Sequence, residues 1–374
     1  MESRIKVNIL SPGRFHVCDL ARELNEHGFD VKFYSYVSAQ RTEAYGLPRK
    51  CCISLFWILA PFAFLERKSW FGKEFWADIR RWLQDLVTSW IMRKADVLIA
   101  MSGEFNRSMK KAKKDGAIII CERGSKHILD QKHILDANPL VKVSPISNEN
   151  VDRELKSYEI ADYIAVGAAH VEASFLKRGF PKEKFFFNPY GVALKDFHSV
   201  DNASKEYDFL MVGTWSYQKG CDLIAEAISR TQYTLLHVGA LGDIPFPEGN
   251  QFKHVPPVDQ KELYKYYAQA KVFILPSRQD GLAMVLAQAV ACHLPIIASA
   301  DGGACDLKER VAMPEYISIL DELSADAIVR KMGEMLPLYE QLQNKSYAGD
   351  ALNDLTWSAY GRRYAEFLHK ITNK

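Results

Sequence analysis

Residues 272–303 read VFILPSRQDGLAMVLAQAVACHLPIIASADGG. Val272-Phe273-Ile274-Leu275 is a short apolar run of the kind found in a strand buried on both faces. Pro276 and Ser277 stop it, and Gln279-Asp280-Gly281 make a polar turn. Met284, Val285, Leu286, Ala289 and Val290 then recur at mixed i+3 and i+4 spacings, which predicts a helix buried over most of its face. His293-Leu294-Pro295 end that helix, and Ile296-Ile297-Ala298 open the next strand. A strand, a tight polar turn, a helix and a strand put unpaired N–H groups of a helix N-terminus at the carboxyl end of a strand. Open α/β sheets bind anions there. Asp280 stands at the entrance. Gln288 follows two helical turns later, so both side chains are expected to face one cleft.

The same stretch resembles the donor-site signature of retaining GT-B glycosyltransferases of the glycosyl transferases group 1 (GT4) family. Their pattern is P-S-x-x-E-G-F-G, a second Glu eight residues after the first, then A-C-G-x-P-V-I-A-S. The frame is present in Pro276-Ser277, Asp280-Gly281, Ala291-Cys292 and Pro295-Ile296-Ile297-Ala298-Ser299. It departs at the functional points: Asp280 and Gln288 replace the two Glu residues, and Leu282-Ala283 replace Phe-Gly. The resemblance implies an α/β GT-B fold, two Rossmann-like domains with parallel sheets facing a central cleft.

The chain has 374 residues, enough for two such domains. Apolar residues make up 48% and charged residues 25%, a globular balance, and the net charge of +2 singles out no partner. Seven cysteines form no C-x-x-C pair and no metal spacing, which fits a reducing compartment. The amino terminus runs into a strand with no secretory pattern. The most apolar run, CCISLFWILAPFAFL from Cys51 to Leu65, holds Pro61 and falls short of the ~20 residues of a membrane span. It is expected to be buried or interfacial.

Ile5–Leu10, a loop through Gly13 and Arg14, a helix to His27 and a strand from Val31 form a Rossmann-like opening. One glycine is no dinucleotide fingerprint. By resemblance Gly13 and Arg14 lie under the donor phosphates or the acceptor; an ordinary turn with a solvated Arg is the other reading. In 67–94, Trp70, Phe71, Phe75, Trp76, Trp82 and Trp90 recur at helical spacing among Arg and Lys residues, with Lys110, Lys111, Lys113 and Lys114 beyond. That suits either a membrane interface or a core helix with a basic face. Strands at Asp96–Ala100 and Ala117–Cys121 lead to Ser102, Glu104, Glu122 and Arg123, polar residues at strand ends beside the cleft. The resembling family often has a His near Ser102; here there is none. His127 reads as solvated or capping. Residues 138–150 read as a surface loop.

Asn188-Pro189-Tyr190-Gly191-Val192 resembles the family's hinge. The domains are therefore expected at 1–192 (acceptor side, with a helix at about 356–372 packing back on it) and 205–355 (nucleotide-sugar side). Gly213-Thr214 and Lys219-Gly220 stand where the family has G-R-L-x-x-x-K-G. Val255 and Pro257 lie where it cradles the base through backbone groups. No D-x-D motif is present.

The resemblance implies transfer of a sugar from a UDP- or GDP-sugar to a hydroxyl of a glycan or lipid-linked acceptor, with retention, in bacterial-type polysaccharide or glycolipid assembly. No metal, no cofactor beyond the sugar nucleotide and no nucleic-acid partner is expected. Asp280, Lys219, Ser102 and Arg123 are the catalytic candidates. Gly13, Arg14, Gly213, Thr214, Val255, Pro257, Gly281, Leu282, Ala283, Met284 and Gln288 are the donor-binding candidates. Lys219, with Arg14 or Arg123, would neutralise the departing diphosphate. The expected location is cytoplasmic and peripheral on the inner face of the membrane. The competing reading is a catalytically silent GT-B protein that binds sugar nucleotides or acts as a scaffold.

Overall fold

The computed structural model describes residues 4–68, 73–200, 204–342 and 351–373; Trp70 and Phe71 lie outside them. Among the described residues, thirteen strands fall into two sheets. Strands β1 (Lys6–Ser11), β2 (Asp30–Ser35), β3 (Cys52–Ser54), β4 (Val97–Met101), β5 (Ile118–Arg123), β6 (Tyr163–Val166) and β7 (Phe185–Phe187) make the first, in the order β3-β2-β1-β4-β5-β6-β7. Strands β8 (Tyr207–Val212), β9 (Leu235–Val238), β10 (Phe252–Val255), β11 (Ala270–Leu275), β12 (Ile296–Ala298) and β13 (Ile317–Ile319) make the second, in the order β10-β9-β8-β11-β12-β13. Neighbours pair in parallel throughout both sheets. Parallel strands need crossovers, and the intervening helices bury both sheet faces. The apolar runs of β4, β8 and β11 accordingly lie in the two cores. Each sheet reverses its winding between its first and fourth strands, β1/β4 and β8/β11. A crevice opens at the carboxyl ends of the strands at such points.

The first sheet ends at Phe187 and the second begins at Tyr207. The chain returns through helix Trp357–Thr372, capped by Thr356, whose hydroxyl accepts from the Ala359 N–H at 3.1 Å. Its buried stripe of Tyr360, Tyr364 and Leu368 packs into the core of the first sheet. Val192 forms a bridge with Thr356 where the two crossings meet.

Four local expectations are corrected. The first helix spans Phe15–Glu26 and stops one residue short of His27, starting through a left-handed Phe15 (φ 36°). The Cys51–Leu65 run becomes a turn, strand β3 and helix Phe56–Lys68. The basic aromatic segment continues as a second helix, Lys73–Ile91, packed on the first through Phe62 and Trp76. The strand expected from Val272 begins two residues earlier, at Ala270, just after the short helix Tyr264–Tyr267. Helix Met284–Ala291 ends through a left-handed His293 (φ 58°), a place that favours glycine. All seven cysteines are free thiols. No described helix is long and apolar enough to cross a membrane.

Candidate functional site

The crevices of the two sheets face each other, and an ion pair between Lys219 and Asp280 joins the loops at the mouth of the second. Lys219 ends a single turn (Tyr217–Lys219) between β8 and helix Cys221–Ser229; Asp280 follows β11. Their side chains form an ion pair, each about four-fifths buried. Gly220 takes φ +72°, and a Cβ there would lie 2.2 Å from the Pro276 carbonyl, so the two loops interlock only with glycine. Arg278 bolts them together. Its guanidinium grips both Asp222 oxygens at 2.6 Å, donates to the Tyr217 carbonyl at 2.7 Å and stacks 3.7 Å above the Tyr217 ring.

The Asp280 loop is held from both sides. Within its own domain the Asp280 N–H donates to the Asp301 carbonyl (2.9 Å) and the Ala283 N–H to that of Gly302 (3.0 Å). The Gly281 N–H donates to its neighbour's Asp280 Oδ1 at 2.9 Å. That leaves the N–H groups of Leu282 and Met284 unpaired among the described residues at the head of helix Met284–Ala291. Across the cleft, His170 Nε2 donates to the Asp280 carbonyl at 2.9 Å, Gln279 bonds Ser125, and Lys126 pairs with Asp301 at 2.8 Å. Gly281 is pressed against the Gly124 carbonyl so closely that a Cβ would sit 1.8 Å from it.

Other candidates fall into place differently. Gly213 accepts from the buried His237 Nε2 at 2.8 Å, and His237 meets His254 of β10 at 2.9 Å. Thr214 and Pro257 are exposed on the rim, and Val255 is half-buried at the end of β10. Gly13 has its carbonyl tied by Ser11 (2.7 Å) and Ser35 (2.9 Å). Arg14 stacks 3.5 Å above Tyr45 and lies 3.7 Å from Asp19. Ser102 is half-buried, its N–H on the Glu122 carbonyl at 3.1 Å.

Two expectations are overturned. Arg123 does not face the diphosphate position. It is 6% exposed, pairs with Glu154 at 3.0 Å, and spends its other donors on Gln131 and the Lys126 carbonyl. A buried guanidinium must satisfy its donors locally, and here it does so by clamping the loop after β5. Gln288 does not open onto the cleft beside Asp280. It is 6% exposed, with Oε1 at 3.0 Å from the fully buried Tyr267 hydroxyl. His127 is a buried N-cap, accepting from the Leu129 N–H at 3.3 Å, and burial pulls its pKa down to about 4.

Residues that the motif reading passed over complete the cleft. His16, at the head of the first helix, meets Glu122 at 2.9 Å. Tyr364 donates to the other Glu122 oxygen at 2.6 Å, and Tyr190 lies against His16 with ring centroids 4.2 Å apart. The usable signal was position: Glu122 stands next to last in a strand, and His16 and His170 stand in the first turns of helices that follow strands.

Residues 206–336 match the family model described as glycosyl transferases group 1. Over 120 residues the chain is 31% identical to the GDP-mannose-dependent α-(1-6)-phosphatidylinositol monomannoside mannosyltransferase of Mycolicibacterium smegmatis, a match covering 30% of this chain and 31% of that protein. Among solved structures, sucrose-phosphate synthase from Thermosynechococcus elongatus superposes with a TM-score of 0.67 at 16% identity, over 98% of this chain and 99% of the other. Anabaena HepE in complex with UDP-glucose gives the same TM-score at 14% identity, over 98% and 100%. Residues 206–336 thus carry the glycosyl transferases group 1 frame, and the two parallel sheets facing across one cleft give the chain the GT-B fold.

Proposed function

We propose that this protein transfers a sugar from a nucleoside-diphosphate sugar to an acceptor hydroxyl, with retention at the anomeric carbon and without a metal. The observation that carries this reading is the Lys219–Asp280 pair at the switch point of the second sheet. A cation there, beside the unpaired N–H groups of Leu282 and Met284, suits a diphosphate. On donor binding Lys219 exchanges Asp280 for the phosphate oxygens and stabilises them as the glycosidic bond breaks. Asp280, released, accepts hydrogen bonds from sugar hydroxyls. Gln288 reaches a ribose only by giving up Tyr267.

The related proteins are named for GDP-mannose and UDP-glucose, so UDP- and GDP-sugars are the donors to try first. For the acceptor we favour a glycan or a lipid-linked molecule met at a membrane. Trp57, Phe64, Phe75, Trp82 and Trp90 on the two packed helices are all more than half exposed. Lys111 ties its ammonium to the Ser89 carbonyl at 2.7 Å, which joins the helix bearing Arg107, Lys110 and Lys114 to the helix bearing Trp90. Aromatic rings with a basic border suit an anionic lipid surface.

The test is thermal stabilisation by UDP, GDP, ADP and their sugars, followed by release of the nucleoside diphosphate. Ligand at 100 times its dissociation constant adds about 2.7 kcal/mol to native stability. A shift with one base and turnover of its sugar support an enzyme; binding without turnover supports the silent reading; no shift with any of them removes the donor site.

A further inference from the structure

Tyr190 sits where the strand-end loops of the first domain meet the donor loop of the second. Its ring lies against His16, with centroids 4.2 Å apart. A Cβ on Gly167 would lie 3.3 Å from the ring and 3.4 Å from Leu282 of the donor loop. A Cβ on Gly124 would lie 3.2 Å from the phenol oxygen, and Gly124 is the residue pressed against Gly281 across the cleft. The hydroxyl therefore ends beside the contact between the two domains.

The backbone holds it there. Arg363 donates to the Pro189 carbonyl at 2.9 Å, and the Asn188 amide donates to the Tyr360 carbonyl at 3.2 Å. A Cβ at Gly191 would lie 2.4 Å from Trp357 Cα, so the chain after Tyr190 is pressed against the last helix. Tyr190 is 7% exposed, and its hydroxyl is buried with no hydrogen-bond partner among the described residues. A buried, unpaired hydroxyl costs stability, and phenylalanine would fill the same space without that cost. Burial first, and then the Glu122 and Asp280 carboxylates, keep the phenol protonated well beyond its ordinary range. It stands as a neutral group that can both donate and accept.

A second polar group is left bare at the same contact. Gln279 is fully buried; its Nε2 donates to the hydroxyl of Ser125, the neighbour of Gly124, and its Oε1 has no partner among the described residues. The Asp280 carboxylate follows it in the chain. A phenol, an amide oxygen and a carboxylate thus border the Gly124–Gly281 contact from both domains. A phosphate is repelled by the carboxylate and finds no donor in the amide oxygen. A polyol fits all three, since each of its hydroxyls can donate to Oε1 or the carboxylate and accept from the phenol.

We propose that the Tyr190 hydroxyl is a recognition group for the donor sugar, bonding one of its ring hydroxyls from the side of the cleft opposite Asp280, in the transfer described above, on which this inference rests. Entry of the sugar parts Gly124 from Gly281 and gives Tyr190 and Gln279 the partners that the protein alone does not supply. A sugar without the matching hydroxyl leaves the phenol unpaired, and a buried polar group discriminates most strongly in that way.

The experiment measures dissociation constants of UDP, UDP-glucose, GDP and GDP-mannose by calorimetry for the wild type and for Tyr190→Phe, with the Tm of each protein alongside. The substitution should leave UDP and GDP binding unchanged and the Tm equal or higher. It should weaken the sugar nucleotide relative to its nucleoside diphosphate by about 2- to 13-fold, the span of one neutral hydrogen bond. Deoxy forms of the same donor locate the partner. One of them should bind the wild type more weakly than the parent donor does, yet bind Tyr190→Phe as well as the parent, a coupling that a merely structural tyrosine does not produce. A ratio of sugar-nucleotide to nucleoside-diphosphate affinity that Tyr190→Phe leaves unchanged overturns the assignment. So does a deoxy series in which no member couples, or a Tm that falls with the substitution, which would give the hydroxyl its partner within the fold. A wild-type protein that binds neither UDP nor GDP overturns the transfer reading itself.

Discussion

Lys219 and Asp280, 61 residues apart, close an ion pair between the loop after β8 and the loop after β11. Arg278 supplies the brace, so the pair is preorganised for a ligand that replaces one partner. Lys219→Ala should therefore weaken binding of the cognate nucleoside diphosphate by about 1.5–3 kcal/mol, the range for a hydrogen bond to a charged group. Calorimetric titration reads it. A dissociation constant within twofold of wild type would remove Lys219 from the donor site.

That relationship was half legible in the sequence. Lys219-Gly220 and Asp280-Gly281 could be placed on strand-to-helix loops because apolar runs such as Val272–Leu275 and the helix period that follows announce a buried parallel sheet. What could not be read was direction across the cleft. Arg123 and Glu122 are adjacent on β5 and looked equivalent as strand-end polar residues. Side chains alternate along a strand, so one meets Glu154 and Gln131 inside the domain and the other meets His16 and Tyr364. Likewise, eight residues from Asp280 brings Gln288 round to the same side of the helix, yet the second position is two turns deeper, where Tyr267 waits. Periodicity gives the face, not the depth.

Two glycines should separate stability from domain contact. A Cβ at Gly220 collides with the Pro276 carbonyl inside one domain, and its φ of +72° adds backbone strain. Gly220→Ala should lower stability by roughly 1–3 kcal/mol, read as the urea midpoint. A Cβ at Gly281 collides instead with Gly124 of the other domain. Gly281→Ala should lower the midpoint less than Gly220→Ala does, because its clash is relieved by separating the two domains rather than by unfolding either. It should, however, enlarge the radius of gyration by X-ray scattering as the cleft is propped open. Unchanged scattering would show that the loop moves rather than the domain.

Arg123→Ala should act on folding and leave the donor alone. Removal strands Glu154, itself 13% exposed in the side chain, and frees the loop that carries Gly124 to Lys126. Breaking a buried pair on one side costs about 3–5 kcal/mol. The expected result is a large fall in Tm with nucleotide affinity unchanged in the folded fraction. Arg123→Met, which removes the charge but keeps a long side chain, should recover little, because Glu154 stays unpaired. Loss of affinity with a normal Tm would return Arg123 to the diphosphate.

Acid should weaken the fold through two buried imidazoles. Desolvation first of all pulls His127 and His237 from the ordinary 6.5 to about 4. Both are therefore neutral in the folded chain, while the unfolded chain takes up protons below about 6.5. Stability is complete above that value and is lost as the pH falls from 6.5 towards 4, with little further loss from these groups below. Urea midpoints measured across that window should decline, and His127→Asn, which keeps an N-cap acceptor, should flatten part of the decline. A midpoint constant from 7 to 4 in the wild type would show that neither imidazole is held neutral.

The exposed aromatics decide whether the first domain meets a lipid surface. Trp57 and Trp90 are 85% and 71% exposed, and Trp82 is 56% exposed, so glutamine at these three positions removes little packing. Trp76 is a poor probe, because it lies against Phe62 between the two helices. A ring half inserted at an interface is worth roughly 1 kcal/mol on area grounds, and three such rings amount to more than tenfold in partitioning. The triple variant should keep its Tm and its nucleotide binding while losing about tenfold or more in binding to vesicles containing phosphatidylglycerol. Charge reversal at Lys110 and Lys114 should lower binding further and make what remains insensitive to salt, since the basic ridge is the electrostatic part of the attraction. Equal sedimentation of the wild type and the triple variant with such vesicles would mean that these rings face something other than lipid.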